Sequence, residues 1–299
     1  MNRVTPSSQS QQVTAALQAS LARLQATQDQ ISSGRRLGKP SDSPTDTATA
    51  MSLRSDHQRN EQLDRAIDDG SARLATADQA LMQTDTLLLR VRQLLLAGSN
   101  DTNTAAERSA MAAELDQLRS SLLDVANTRY LGQPVFAGTQ DTENAYDVSG
   151  AYLGNTSPVE RRVTTGPDRV AVGITGPEAF GTLFADPAAA GGLGVLARAA
   201  DALRTGDRTA MQQALTDVDA ASDTVRTSQS IVGSRTSRLE SVKTVGAAAT
   251  TRMETQLSTV EGIDLAKALT DLSIQQSAYQ AALSATAKVI QPSILDFLR

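Results

Sequence analysis

Apolar residues recur along this chain at alternating spacings of four and three, in blocks that stop and restart. Residues 13–33 place Val13, Leu17, Leu21, Leu24 and Ile31 at helical spacing, with Leu17, Leu24 and Ile31 seven apart. A longer block runs Leu63, Ile67, Gly70, Leu74, Ala77, Leu81, Thr84, Leu88, Val91, Leu95 without a break. That spacing predicts a coiled-coil helix from about 45 to 97, roughly 75–80 Å long at 1.5 Å per residue. Met111, Leu115, Leu118, Leu122 and Val125 predict a third helix over about 104–128, folded back on the second after a short turn. Helix is predicted again over 193–205 and 207–260. In the latter, Met211, Val218, Val225, Val232, Leu239, Gly246, Met253 and Val260 fill one seam, while Ser222, Gln229, Thr236 and Lys243 stand in the other. Leu265, Leu269, Leu272, Tyr279, Leu283 and Ile290 mark the last helix, with Asp264 as its N-cap and Pro292 as its stop.

The punctuation between blocks is equally legible. Gly34 is the expected stop of the first helix, and Gly38-Lys39-Pro40-Ser41-Asp42-Ser43-Pro44 reads as a rigid, non-helical link. Pro44 suits the first turn of the next helix, with Ser43 or Asp42 capping its free N–H groups. Between 132 and 194 Gly and Pro recur, and Val159–Thr164 and Arg169–Ile174 are rich in β-branched residues, which predicts strands joined by turns.

The fold class expected is therefore mainly α: long antiparallel coiled-coil helices built from both chain ends, with a small, mostly β domain inserted in the middle. Residues 1–44 would form the N-terminal half of a terminal coiled coil and its link, and 45–131 the first part of a helical rod. The inserted β-rich domain would span 132–194, the second part of the rod 195–262, and the C-terminal half of the terminal coiled coil 263–299. An apolar stripe at each end, with no globular core beside it, must be buried against itself or against neighbouring copies. That points to assembly.

Composition narrows the classes that remain. The 299 residues carry 28 Lys+Arg against 33 Asp+Glu, a mixed balance of −5 with no basic stripe for nucleic acid. Aromatic residues are 3% of the chain and Trp is absent, so platforms for stacking bases or sugars are nearly lacking. With no cysteine, thiol chemistry and disulfides are excluded. The first 20 residues hold no continuous apolar run, so export without a cleaved signal peptide is expected if the protein leaves the cell. No run of 18 apolar residues occurs, and no membrane insertion is expected.

Catalytic signals are weak. His57, the one histidine, sits among Arg54, Asp56 and Arg59 with no nucleophile or second ligand beside it, and reads as a solvated helix residue. Asp68 and Asp69 are adjacent on a helix and diverge by ~100°, so they cannot share an ion. Gly192-Leu193-Gly194-Val195-Leu196-Ala197 fits a loose nucleotide loop but follows no convincing strand, and reads as a domain-boundary linker. Asp141, Glu143, Asp147, Glu160, Asp168 and Glu178 keep carboxylate chemistry formally open in the insert. The expectation is that the protein is not an enzyme and uses no cofactor or metal.

Three stretches, in order, carry a family resemblance. Ile31-Ser32-Ser33-Gly34-Arg35-Arg36-Leu37 with Pro40-Ser41-Asp42-Ser43-Pro44 resembles the amino-terminal signature of the flagellin superfamily. Gly132-Gln133-Pro134-Val135-Phe136-Ala137-Gly138-Thr139 is similar to its exit from the helical domain, and Gln275–Leu283 with Ser293–Leu298 to its carboxyl end. Ser43, where a second Asp is usual, and Pro134 depart from the pattern. Within the superfamily the Pro-Ser-Asp-x-Pro form resembles the members that join hook to filament; filament flagellin, with a different form there, is the alternative.

The resemblance implies a structural, self-assembling subunit outside the cell at the hook–filament junction, with terminal helices that fold on assembly and the 132–194 insert as an outer domain. The implied assembly interface is Leu17, Leu21, Leu24, Ile31, Leu265, Leu272, Tyr279, Leu283 and Ile290, and the implied domain link is Gly34, Pro40, Ser41, Asp42 and Pro44. Its implied partners are further copies, the first hook-associated protein on one side, filament flagellin on the other, and a cytosolic export chaperone. Leu283, Ile290, Leu295, Phe297 and Leu298 are the chaperone contacts it implies.

Overall fold

The computed structural model describes the backbone of residues 6–100, 102–167, 169–185 and 192–290. Among the described residues, seven helices and four short strands follow in the order α1 (Pro6–Ser33), α2 (Pro44–Gly98), α3 (Ala105–Ala126), β1 (Arg129–Tyr130), β2 (Gln133–Pro134), β3 (Glu160–Arg162), β4 (Arg169–Ala171), α4 (Gly176–Phe180), α5 (Val195–Thr205), α6 (Arg208–Glu261) and α7 (Leu265–Ile290). The bounds expected for α2, α3, α5 and α6 agree to within two residues, while α1 begins seven residues before its apolar stripe and α4 falls in the segment expected to be β-rich. The expected stop at Pro292 lies outside the described residues. No described helix is long and apolar enough to cross a membrane.

Contacts divide the chain into two units, one of residues 1–58 with 249–299 and the other of 59–248. The divisions fall inside α2 and α6.

In the 59–248 unit the long stripe of α2 is buried as its spacing requires. Leu74, Leu81, Leu88 and Leu95 have no exposed surface, nor do Val218, Val225 and Leu239 of α6. Polar ties along the flank fix the direction of the pair: Arg92 to Asp219 at 2.7 Å, Asp85 to Arg226 at 3.3 Å, Asp68 to Lys243 at 2.5 Å. Partner numbers fall as α2 numbers rise, so the two helices run antiparallel. Arg90 of α2 pairs with Glu114 of α3 at 2.5 Å. α3 begins with a reciprocal cap in which Glu107 N–H donates to Thr104 Oγ1 and Thr104 N–H to Glu107 Oε2. α5 is tied to α6 by Arg198 and Asp217 at 2.8 Å, and to α3 by Arg204 and Asp116.

The insert holds two antiparallel ladders, β1–β2 and β3–β4; the second pairs Glu160 with Ala171 and Arg162 with Arg169. The strands expected near 159 and 169 are present but only three residues long, and turns make up most of the segment. Phe136, Tyr146, Phe180 and Phe184 form an aromatic cluster, with Phe136 and Phe180 edge to face at 4.8 Å. Its side chains belong to the same buried cluster as those of α2, α3, α5 and α6, so the insert shares the helical core. Buried Arg73 of α2 donates to the carbonyls of Pro134 and Val135 at 3.1 and 3.0 Å, holding the chain where it leaves the helices.

Candidate assembly surfaces

In the terminal unit α1 packs on α7, and both helices present a 4–3 seam. On α1 it is Val13, Leu17, Ser20, Leu24, Thr27 and Ile31; on α7 it is Ala268, Leu272, Gln275, Tyr279, Ala282 and Thr286. Thr27 Oγ1 lies 3.1 Å from Gln275 Oε1, and an antiparallel bridge joins Arg35 to Gly262, so the helices run in opposite directions. Only Thr27 and Ala268 are buried; the rest of the seam is half-exposed.

Of the interface residues named from sequence, Leu17, Leu24, Ile31, Leu272 and Tyr279 lie in the seam. Leu21, Leu265 and Leu283 lie off it, 37%, 52% and 42% exposed, as does Leu269 at 49%. Ile290 ends α7 but its side chain lies outside the described residues, as do Leu295, Phe297 and Leu298. At about 100° per residue, Leu265, Leu269 and Leu283 fall within about 40° of one another and roughly 75° from the seam. α7 thus carries two adjacent apolar stripes, one on α1 and one facing outward. Sequence inspection missed Ser20, Thr27, Ala268, Gln275, Ala282 and Thr286 because they are small or polar; the signal available was their phase with Leu272 and Tyr279.

The link is built from its polar side chains. Gly34 takes φ +67°, ending α1. Asp42 does not cap α2; its Oδ2 accepts the N–H groups of Gly38 and Lys39 at 3.0 and 2.7 Å and closes the turn around Pro40 and Ser41. Ser43 caps α2 instead, accepting from Asp46 N–H at 3.4 Å, with Pro44 as the first helical residue. Arg36 N–H donates to Glu261 O at 2.7 Å, and its guanidinium bridges Val260 O and Asp46 Oδ2. That guanidinium, with help from Ser43, holds the Asp46 carboxyl below the ordinary carboxylate range. Buried Glu261 faces Arg54 at 2.7 Å and Arg35 at 3.9 Å. The Asp264 carboxylate caps α7 through Lys267 N–H at 3.1 Å.

The residues considered for catalysis are engaged separately. His57 stands 3.5 Å from Glu254. Asp68 meets Lys243 while Asp69 meets Arg161 and the Tyr130 hydroxyl, the divergence expected of neighbours on a helix. In the insert, Glu178 pairs with Arg235, Glu143 with Arg129, and Asp141 accepts from Gln133. Asp147 caps its own loop through Ser149 and Ala151, which holds its carboxyl below the ordinary range. Glu160 is exposed and Asp168 lies outside the described residues. Gly194 of the glycine motif starts α5 where a Cβ would fall 2.2 Å from the Phe184 carbonyl carbon, so close packing accounts for that glycine.

The two ends pair as helices, the middle packs around a helical core, and apolar stripes of α2 and α7 remain exposed, the architecture of a long-helical structural subunit. The N-terminal helical region of bacterial flagellin matches residues 5–141, and its C-terminal helical region matches 215–298. The chain belongs to the flagellin superfamily. It is 24% identical to flagellar hook-associated protein 3 of Escherichia coli over 277 residues, 86% of this chain and 87% of that protein. A flagellin of Clostridium tyrobutyricum is 30% identical over 131 residues, 43% of this chain and 35% of that one. The same fold occurs in a structure described as a putative flagellar hook-associated protein from Vibrio parahaemolyticus, with a TM-score of 0.65 at 21% identity, covering 74% of this chain and 100% of that one.

Proposed function

We propose that this protein is a structural subunit of the bacterial flagellum that forms the junction between hook and filament. The observation that carries the proposal is the match to hook-associated protein 3 over 86% of this chain and 87% of that protein, set against a flagellin match confined to less than half of the chain. It performs no reaction; its work is to bury complementary surfaces between copies.

The terminal unit supplies the physical mechanism. Fully burying a large aliphatic side chain contributes about 1.5–3 kcal/mol, and the half-exposed α1–α7 seam reaches only part of that. Ordering each residue costs ~1–2 kcal/mol of backbone entropy. The pair is therefore marginal alone and becomes stable when the outward stripe of Leu265, Leu269 and Leu283 packs on neighbouring copies, with Leu21 on the α1 flank. Folding of the ends is coupled to assembly, and loosely folded ends suit passage through the flagellar export channel. In the assembled zone the neighbours are the first hook-associated protein on one side and filament flagellin on the other. Before export, a cytosolic chaperone covers Leu283 and the carboxyl end with Ile290, Leu295, Phe297 and Leu298.

Gold-labelled antibody against residues 140–190, viewed by electron microscopy on intact cells, tests the location. A single band where hook meets filament is expected. Label along the whole filament would make the protein a flagellin, and expressed antigen absent from flagella would overturn the proposal.

A further inference from the structure

Residues Leu131 and Gly132 form the two-residue turn of the β1–β2 hairpin, between the paired Tyr130 and Gln133. Their φ angles are +49° and +82°, and Leu131 is the only non-glycine residue with positive φ among the described residues. Such a turn favours Asn or Gly at its first position, and a leucine there is strained. Leu131 recovers nothing within its own copy, being 81% exposed. The base of the hairpin is firmly held: Tyr130 hydroxyl donates to Asp69 at 3.2 Å, Arg161 pairs with Asp69 at 3.1 Å, and Arg73 holds the carbonyls of Pro134 at the end of β2 and of Val135 after it. A rigid, strained, exposed apolar knob invites a functional explanation.

A matching surface lies on the same unit. Met82, Leu89 and Leu96 of α2 are seven residues apart and 59%, 46% and 47% exposed, an apolar row outside the core. Around the helix axis the buried stripe separates this row from Asp69, where the hairpin rests, so knob and row occupy opposite flanks of α2. Along the axis, Asp69 and Leu89 are about 30 Å apart. The two cannot meet within one copy. Two copies in the same orientation, staggered by about 30 Å, bring the knob of one onto the row of the next, and each copy still offers one unused knob and one unused row. Contacts of this heterologous kind build open arrays.

We propose that Leu131 docks on the Met82–Leu89–Leu96 row of a second copy of this chain. The proposal builds on the assembly reading above and adds a specific lateral contact to it. The chain has no cysteine, so the double variant Leu131→Cys with Leu89→Cys introduces its only thiols. In flagella purified from cells expressing it, mild oxidation is expected to give a ladder of dimers, trimers and longer species on a non-reducing gel. Either single variant is expected to stay monomeric. Monomers alone from the double variant, with the chain present in the flagella, would overturn the contact and leave the junction role standing; so would dimers from Leu89→Cys alone, which mean the row meets its own counterpart. Absence of the chain from flagella would overturn the junction role and this contact with it. As a second readout, Leu131→Asn relieves the strain and is expected to raise the Tm of the dilute chain by about 2 °C while reducing attached filaments several-fold. A stabilised variant that assembles like the unaltered chain would sink the proposal.

Discussion

The α1–α7 seam and the α2 stripe from Ile67 to Leu95 share one spacing and bury very different amounts. Along α2 every fourth or third residue disappears into a core that α3, α5, α6 and the insert complete, and Leu74, Leu81, Leu88 and Leu95 keep no exposed surface. Along α1 and α7 the same alternation meets a single partner helix, and Leu17, Leu24, Ile31, Leu272 and Tyr279 remain half-exposed. A 4–3 repeat states which face a helix buries; the number of neighbours decides how far. The second difference is chemical. The terminal seam includes Thr27 against Gln275, a polar pair that contributes little apolar burial, whereas the larger unit sets its buried Thr84 and Ser222 among leucines and valines with no exposed surface.

Five variants break or sharpen this contrast. The largest effect is expected from Leu88→Ala, which opens a cavity in a filled core and should lower unfolding free energy by about 2–5 kcal/mol in urea titrations of the dilute chain. Leu24→Ala in the terminal seam should change that same unfolding transition by less than about 1 kcal/mol, yet reduce the amount of protein recovered in flagella. Equal losses for the two variants would erase the difference in burial. Next comes Gly194→Ala, whose Cβ would meet Phe184 and Ala185 backbone atoms at 2.2–2.6 Å. It should cost about 1–3 kcal/mol and move the melting of the 59–248 unit only.

A smaller change runs in the opposite direction. Replacing Thr27 with Val and Gln275 with Leu turns the polar layer apolar and should slow hydrogen exchange of α1 and α7 amides in the dilute chain. Unaltered exchange would mean that the seam's chemistry is not what leaves the ends marginal.

The smallest effect concerns the link. Arg36 holds the Asp46 carboxyl below its ordinary range, so the pairing stabilises the link above about pH 4 and is lost as pH falls through the lowered value. Arg36→Ala should return the Asp46 titration, followed by NMR, toward ordinary aspartate. Link resonances should then respond to acid at higher pH than in the unaltered chain.

The six longer helices and the antiparallel return of the chain were legible in the sequence because apolar spacing and glycine or proline breaks are local signals; the five-residue α4 inside the insert was not. The cap at Asp264 and the core face of α2 were legible for the same reason. Local chemistry also announced the Gly38–Pro44 turn, though it left two candidates for the cap; only the folded turn shows Asp42 closing on Gly38 and Lys39 while Ser43 serves α2. The phase of α7 was not legible, since leucines at 265, 269 and 283 outweigh alanine, glutamine and threonine in any hydrophobic count. Which of its two stripes faces α1 depends on a helix more than 200 residues earlier in the chain. The insert's aromatic cluster joining the helical core, and Arg73 reaching the Pro134 and Val135 carbonyls, depend likewise on contacts between residues far apart in the chain. Spacing and breaks thus determined most elements of this protein, and tertiary packing decided which of their faces were buried and which were left exposed.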